Sequence, residues 1–175
     1  MSKGKKGEMR FTITVAEIAL KERRLDFTRF TTTNTADGGG DLYLYAPSNL
    51  GEKFEDVRDN GTSNICCSSS MIEIRVDVKN KKADKDDAEK FLDDIKKNPK
   101  SGEHWLVYKT ISKPAGDVIL EAQESSKKPI RTFSFEDLKK ISQSYASLPG
   151  EFKHEVRQFQ KPYDNQQAEQ ISLMV

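Results

Sequence analysis

Cysteine is nearly absent: the 175 residues hold two, Cys66 and Cys67, side by side. A bond between adjacent cysteines is strained and the pair leaves no spaced ligand set for zinc, so reduced thiols are expected and a disulfide scaffold or zinc module is not. Long apolar runs are also missing. No stretch approaches the roughly 18–20 apolar residues that cross a bilayer, and the opening MSKGKKGEMR carries basic residues with no apolar segment behind them, unlike a secretory signal. The expectation is an intracellular protein, cytoplasmic or nuclear, with no membrane partner. Asn60-Gly61-Thr62 fits a glycan acceptor pattern, but without a secretory route it reads as a turn. An excess of one charge is missing as well: 29 basic and 28 acidic residues leave a formal net charge of +1, which excludes a polycation that coats nucleic acid through bulk charge. Nucleic-acid contact would need a local patch. The two histidines, His104 and His154, have no partner at metal-ligand or triad spacing and receive no catalytic role.

What is abundant is charge of both signs. Charged residues make up 33% of the chain, against roughly 25% in an ordinary soluble domain, and predict a modest core with a well-solvated surface. The length suits one domain. We expect a basic flexible tail over 1–11, a domain over 12–148 with an insertion or long loop at 48–70, and a C-terminal helix and polar tail over 149–175. TVAEIALKERRL predicts a helix near 14–25, with Thr14 as N-cap. DFTRFTTT and DLYLYAP read as strands on either side of NTADGGG. DKDDAEKFLDDIKKN opens with acids, closes with lysines and carries Ala88, Phe91, Leu92 and Ile95 as an apolar stripe, which together predict a helix. EHWLVYKT, DVILEAQ and IRTFSF are strand candidates. SFEDLKKISQSYASL reads as a helix with Ser134 and Asp137 at capping-box spacing. This order describes an α/β domain, with a central mixed β-sheet flanked by helices.

MIEIRVDVK is the clearest strand. Ile72, Ile74, Val76 and Val78 alternate with Glu73, Arg75, Asp77 and Lys79, so one face is apolar and the other carries every polar group. Asp77 and Lys79 share that polar face, about 6–7 Å apart at their bases, and can converge at their tips. A carboxylate there can ligate a hard divalent cation while the lysine orients water and offsets charge developing on a phosphate. Asp-x-Lys or Glu-x-Lys recurs at Asp94/Lys96, Asp137/Lys139 and Glu151/Lys153, but those pairs fall in helical segments, where positions two apart do not face each other. A second acid must come from elsewhere. Asp41 enters a strand directly behind Gly38, Gly39 and Gly40, whose missing side chains would let a phosphate backbone approach.

A helix with Glu, DGGGD entering a strand, a strand ending in DVK, an amphipathic helix and a further strand together resemble the PD-(D/E)xK nuclease superfamily, and within it the Mrr-like restriction endonuclease domain. The similarity covers roughly residues 12–140. The resemblance implies a restriction-endonuclease-like core. It also implies a Mg²⁺-dependent endonuclease that hydrolyses DNA, with Mn²⁺ able to substitute, and a homodimer as the form that cuts both strands. Asp41, Asp77 and Val78 would hold the metal, Lys79 would be the catalytic lysine, and Glu17 on the first helix would be an accessory acid, with Glu22 one turn on as its competitor. The 36 positions from Asp41 to Asp77 contain the 48–70 insertion. Where the family carries Glu or Gln, this chain has Asp77.

Other readings of the same residues stand beside this one. DGGGD also suits a flexible turn, and Asp77 with Lys79 also suits an ion pair on a solvated sheet. Lys81, Lys82 and Lys85 form a candidate nucleic-acid patch at the strand-to-helix junction, or plain surface charge. Tyr43 and Tyr45 share a face with Asp41 and could stack on bases, or sit half-buried on the sheet. At the level of function, the alternatives are a catalytically inactive nucleic-acid or protein-binding module on the same scaffold and an interaction subunit of a larger assembly.

Overall fold

The alternation in MIEIRVDVK sets the centre of the fold. It lies in a strand, Met71–Ala83, that buries Ile74, Val76 and Val78 on one face and turns Arg75, Asp77 and Lys79 to the other. The computed structural model describes residues 3–21, 29–32 and 41–144. The elements run α1 (Lys3–Lys21), β1 (Arg29–Thr32), β2 (Asp41–Pro47), α2 (Leu50–Asn60), β3 (Met71–Ala83), α3 (Lys85–Lys97), β4 (Glu103–Ile111), α4 (Lys113–Ser125), β5 (Ile130–Ser134) and α5 (Phe135–Gln143). One sheet takes all five strands in chain order. β2 runs antiparallel to both of its neighbours, β1 and β3, and β3, β4 and β5 are parallel. The architecture is therefore α/β with a mixed sheet flanked by helices, as expected.

Two cores cover the two faces. On one side α1, α2 and α5 pack on Leu42, Leu44, Ile74, Val76, Val78, Trp105, Val107 and Phe133. On the other, α3 and α4 pack on Leu106 and Ile130 through Ala88, Phe91, Ala115 and Ile119. The odd-numbered polar residues of β3 face this second side. α3 begins with a reciprocal box between Asp84 and Asp87, and α5 with one between Ser134 and Asp137, each satisfying backbone N–H groups that an unfinished first turn leaves exposed.

Several sequence expectations need correction. The basic segment is not a tail: α1 starts at Lys3, and Phe11 is fully buried against the sheet. Thr14 lies inside that helix, donating from Oγ1 to the Arg10 carbonyl, rather than capping it. Gly7 lets the helix approach β3, since a Cβ there would stand 2.7 Å from the Asn80 Cβ. The 48–70 segment begins with α2, whose Leu50, Phe54 and Val57 enter the core, and Phe54 meets Trp105 and Phe133 at ring-centroid distances of 5.5 and 5.9 Å. Its return limb is tied by Asn49, which donates to the Cys66 carbonyl and accepts from the Ser68 N–H, each at 2.8 Å. DVILEAQ is not a strand but lies in α4, capped by Ser112 with Pro114 in its first turn. The expected C-terminal helix and polar tail over 149–175, and the competitor Glu22, lie outside the described residues.

Candidate functional site

The antiparallel register of β2 and β3 sets Asp41 directly opposite Asp77. Directly opposed positions share a sheet face, so the backbone register puts these two acid positions from separate strands side by side. Lys79 follows on the same face, its Nζ 3.0 Å from Asp77 Oδ1. The pair is not on a solvated surface: Asp77 is 2% exposed and Lys79 9%. Arg75, one step back along the face, is fully buried and reaches Asp94 on α3 at 3.4 Å. Burial of three charged residues on one strand face is unusual, because such groups enter an interior only when paired.

The pairing between β3 and β4 slips between Lys79 and Lys82. A bulge of this kind ends the regular ladder and re-aims the residues beside it. Lys81 lies within it and pairs with Asp87 at 2.8 Å and Asp84 at 3.9 Å, at the start of α3. The hydrogen bond to Asp87 raises the Lys81 pKa, with the Asp77 charge a lesser contributor. For Asp87 burial pushes upward, but the Lys81 bond, the Asp84 backbone N–H and the charges of Lys81 and Lys79 outweigh it, leaving the carboxyl below its ordinary range. Asp77, Lys79, Lys81 and Asp87 thus form one electrostatic group of alternating sign. Sequence reasoning missed the part Asp87 takes, although the acids opening α3 were visible.

The other candidates divide. Glu17 does not join the group: α1 packs on the Ile74, Val76 and Val78 face, and Glu17 pairs with Lys21 at 3.2 Å. Lys21 in turn donates to the Ser142 carbonyl, so this corner fastens α1 to α5. The Val78 side chain is in the core, leaving only its backbone oxygen as a metal ligand. Of the proposed lysine patch, Lys81 is taken by Asp87 and Lys85 pairs with Glu89 at 3.5 Å, while Lys82 is exposed. Among the described residues no cluster of three or more His, Cys, Asp or Glu side chains is placed to hold a metal ion. Of the metal ligands expected from the sequence, there remain the Asp77 carboxylate, the Asp41 position opposite it in register and the Val78 backbone oxygen. All are hard oxygen donors of the kind Mg²⁺ takes alongside water and phosphate oxygens.

Comparison with protein-family models, with curated proteins and with solved structures finds no match. Among the described residues no helix is long and apolar enough to cross a membrane.

Proposed function

We propose that the chain is a metal-dependent phosphodiester hydrolase of the PD-(D/E)xK type that acts on DNA. The observation that carries the reading is the register of Asp41 against Asp77 with the Lys79 ammonium 3.0 Å from the Asp77 carboxylate. The element order helix, three antiparallel strands, helix and parallel strand, with α2 inserted, agrees with the order in which the resembling motifs fall.

Asp77 and Asp41, with the Val78 backbone oxygen, would hold Mg²⁺, which when bound supplies Lewis acidity to the phosphate and lowers the pKa of a water. Asp77 holds Lys79 in place through their ion pair. Lys79 presents a fixed positive charge at the spot where charge develops on the phosphoryl oxygens, and can hold the attacking water in line. The low exposure of both groups excludes bulk water and strengthens their fields. One such group per chain cuts one strand at a time, so a double-strand break calls for a second copy.

The same burial also favours a second reading, a binding module in which the Asp77–Lys79 pair is structural and the site is closed. Supercoiled plasmid incubated with the protein in Mg²⁺, Mn²⁺ or EDTA separates the two. The hydrolase nicks only with metal and stops doing so in Asp77→Asn and in Lys79→Met. Nicking that persists in both folded variants, or none with either metal, removes the hydrolase.

A further inference from the structure

On the same sheet face as Asp77, toward the start of β3, a cleft of about 350 Å³ lies between β2 and the end of α3. Tyr43, Glu73, Lys97, Asn98, Lys100 and Ser101 line it. Tyr43 is the register partner of Arg75 and Tyr45 that of Glu73, so the cleft begins two residues from Asp77 and reaches four, about 7–13 Å along the strand. Its walls are fixed. The Tyr43 hydroxyl donates to Asn98 Oδ1 at 2.9 Å, and Asn98 Nδ2 donates to the Asp94 carbonyl at 2.7 Å. Ser101 Oγ donates to Glu73 Oε1 at 3.0 Å. Lys128 Nζ donates to the carbonyls of Pro99 and Ser101, holding the turn that forms one lip. The rim carries two exposed lysines, Lys100 and Lys97, the latter reaching Asp94 at 3.6 Å. Tyr45, 41% exposed, stands opposite Glu73 on the same sheet face.

We propose that this cleft receives an unpaired nucleotide of the strand whose phosphate is presented to Asp77, so that the substrate is DNA unpaired at the cut: a single strand, a frayed duplex end or the locally melted stretches of a negatively supercoiled plasmid. The inference rests on the hydrolase reading and adds the substrate class. A volume near the lower end of small-molecule sites suits one nucleotide. Tyrosine faces stack on bases of any identity, and lysines on the rim take the flanking phosphates. Glu73, with one oxygen engaged by Ser101, keeps acceptor capacity for an exocyclic amine, the contact by which a carboxylate reads cytosine. A paired base is stacked on both sides and cannot enter.

The test is fluorescence anisotropy of a labelled short oligo-dC and of its duplex, with the full chain in EDTA so that cleavage does not intervene. The single strand should bind about tenfold or more tightly than the duplex, and Tyr45→Ala and Lys100→Glu should each weaken it about tenfold. Lys113→Glu, which makes the same charge change on exposed α4, should change it less than about twofold, with thermal melting showing all variants folded. Equal binding of duplex, unchanged affinity in both Tyr45→Ala, beside the cleft, and Lys100→Glu, on its rim, or an equal loss in Lys113→Glu overturns the proposal. Its failure is separable from that of the hydrolase, because nicking reads Asp77→Asn while binding in EDTA reads Tyr45→Ala and Lys100→Glu. If Asp77→Asn still nicks while Tyr45→Ala loses binding, only the hydrolase reading fails. If it stops nicking while Tyr45→Ala and Lys100→Glu bind normally, only the cleft fails.

Discussion

Arg75 on β3 and His104 on β4 are register partners, and both side chains are fully buried. Adjacent strands lie about 4.8 Å apart, so a permanent cation stands beside an imidazole under α3. Asp94 takes the Arg75 Nη2 at 3.4 Å. His104 has no such acid: among the described residues neither ring nitrogen has a hydrogen-bond partner. Burial first, then the charges of Arg75 and Lys128, pushes its pKa down to about 4. The ring is therefore neutral in the fold at neutral pH, which is the form that a site next to an arginine tolerates.

That depression makes stability pH-dependent with a definite sign. His104 titrates near 6.5 when unfolded and near 4 when folded, so the unfolded chain binds its proton first. Its contribution is complete above pH 6.5 and is lost as the pH falls from there through 4, by up to about 3 kcal/mol. Denaturant midpoints measured across this window should fall with acid, and His104→Leu should flatten that fall. The same slope in the variant would assign the acid sensitivity to carboxylates instead.

Asp77 and Lys79 make a second stability prediction, independent of catalysis. Removing one member of a buried ion pair leaves the other charge uncompensated, at a cost of about 3–5 kcal/mol. Lys79→Met alone should therefore lower the urea midpoint sharply. The double variant Asp77→Asn/Lys79→Met carries no orphan charge and should recover most of the loss. A double variant no more stable than the single would mean that the ammonium has another principal partner.

Much of the fold was legible because period and pattern agreed. DLYLYAP coincides with β2 and the Asp84 to Lys97 segment with α3, since turn residues and charge order mark their ends. Strict alternation placed Asp77 on the polar face of β3, while its pairing with the Asp41 position follows from the β2–β3 register, which the sequence alone does not give. α4 was misread for a physical reason: Val118, Ile119 and Leu120 run together as in a strand, yet burial falls on Ala115 and Ile119, four apart on one helical face, and leaves Leu120 59% exposed. The signals against a strand were Ser112 and Pro114, and the need for a long crossover between the parallel strands β4 and β5. α2 was hidden by its Ser- and Asn-rich neighbours, although Leu50, Phe54 and Val57 have helical spacing. The cleft beside Tyr43 had no sequence signal, because Asn98 and Ser101 reach it only through the tertiary position of the turn after α3.

α4 also contains a removable weakness. Gly116 lies in the helix with open space where a Cβ would stand and no positive φ. Alanine there lowers the backbone entropy of the unfolded chain and should raise stability by about 0.5–1 kcal/mol. The check is a shift of the denaturant midpoint to higher concentration at unchanged slope.

Gly51 should behave in the opposite way. It opens α2 over Arg131, which pairs with Glu55 and with Glu103 at 3.1 Å, while Glu103 accepts from the Trp105 ring N–H at 3.0 Å. A Cβ on Gly51 would meet the Arg131 side chain and stand 2.7 Å from Glu103 Oε2. Arg131 is the far end of a flexible chain, but it cannot swing away without leaving the buried Glu103 carboxylate unpaired. Gly51→Ala should thus cost about 1–3 kcal/mol and change Trp105 fluorescence, because the strain falls on the ring's own hydrogen-bond acceptor. Gly51→Ala combined with Arg131→Lys, which shortens the intruding group, should be less destabilised than the sum of the two single changes. Strict additivity would show that the helix shifts as a unit and that Arg131 is not what holds it in place.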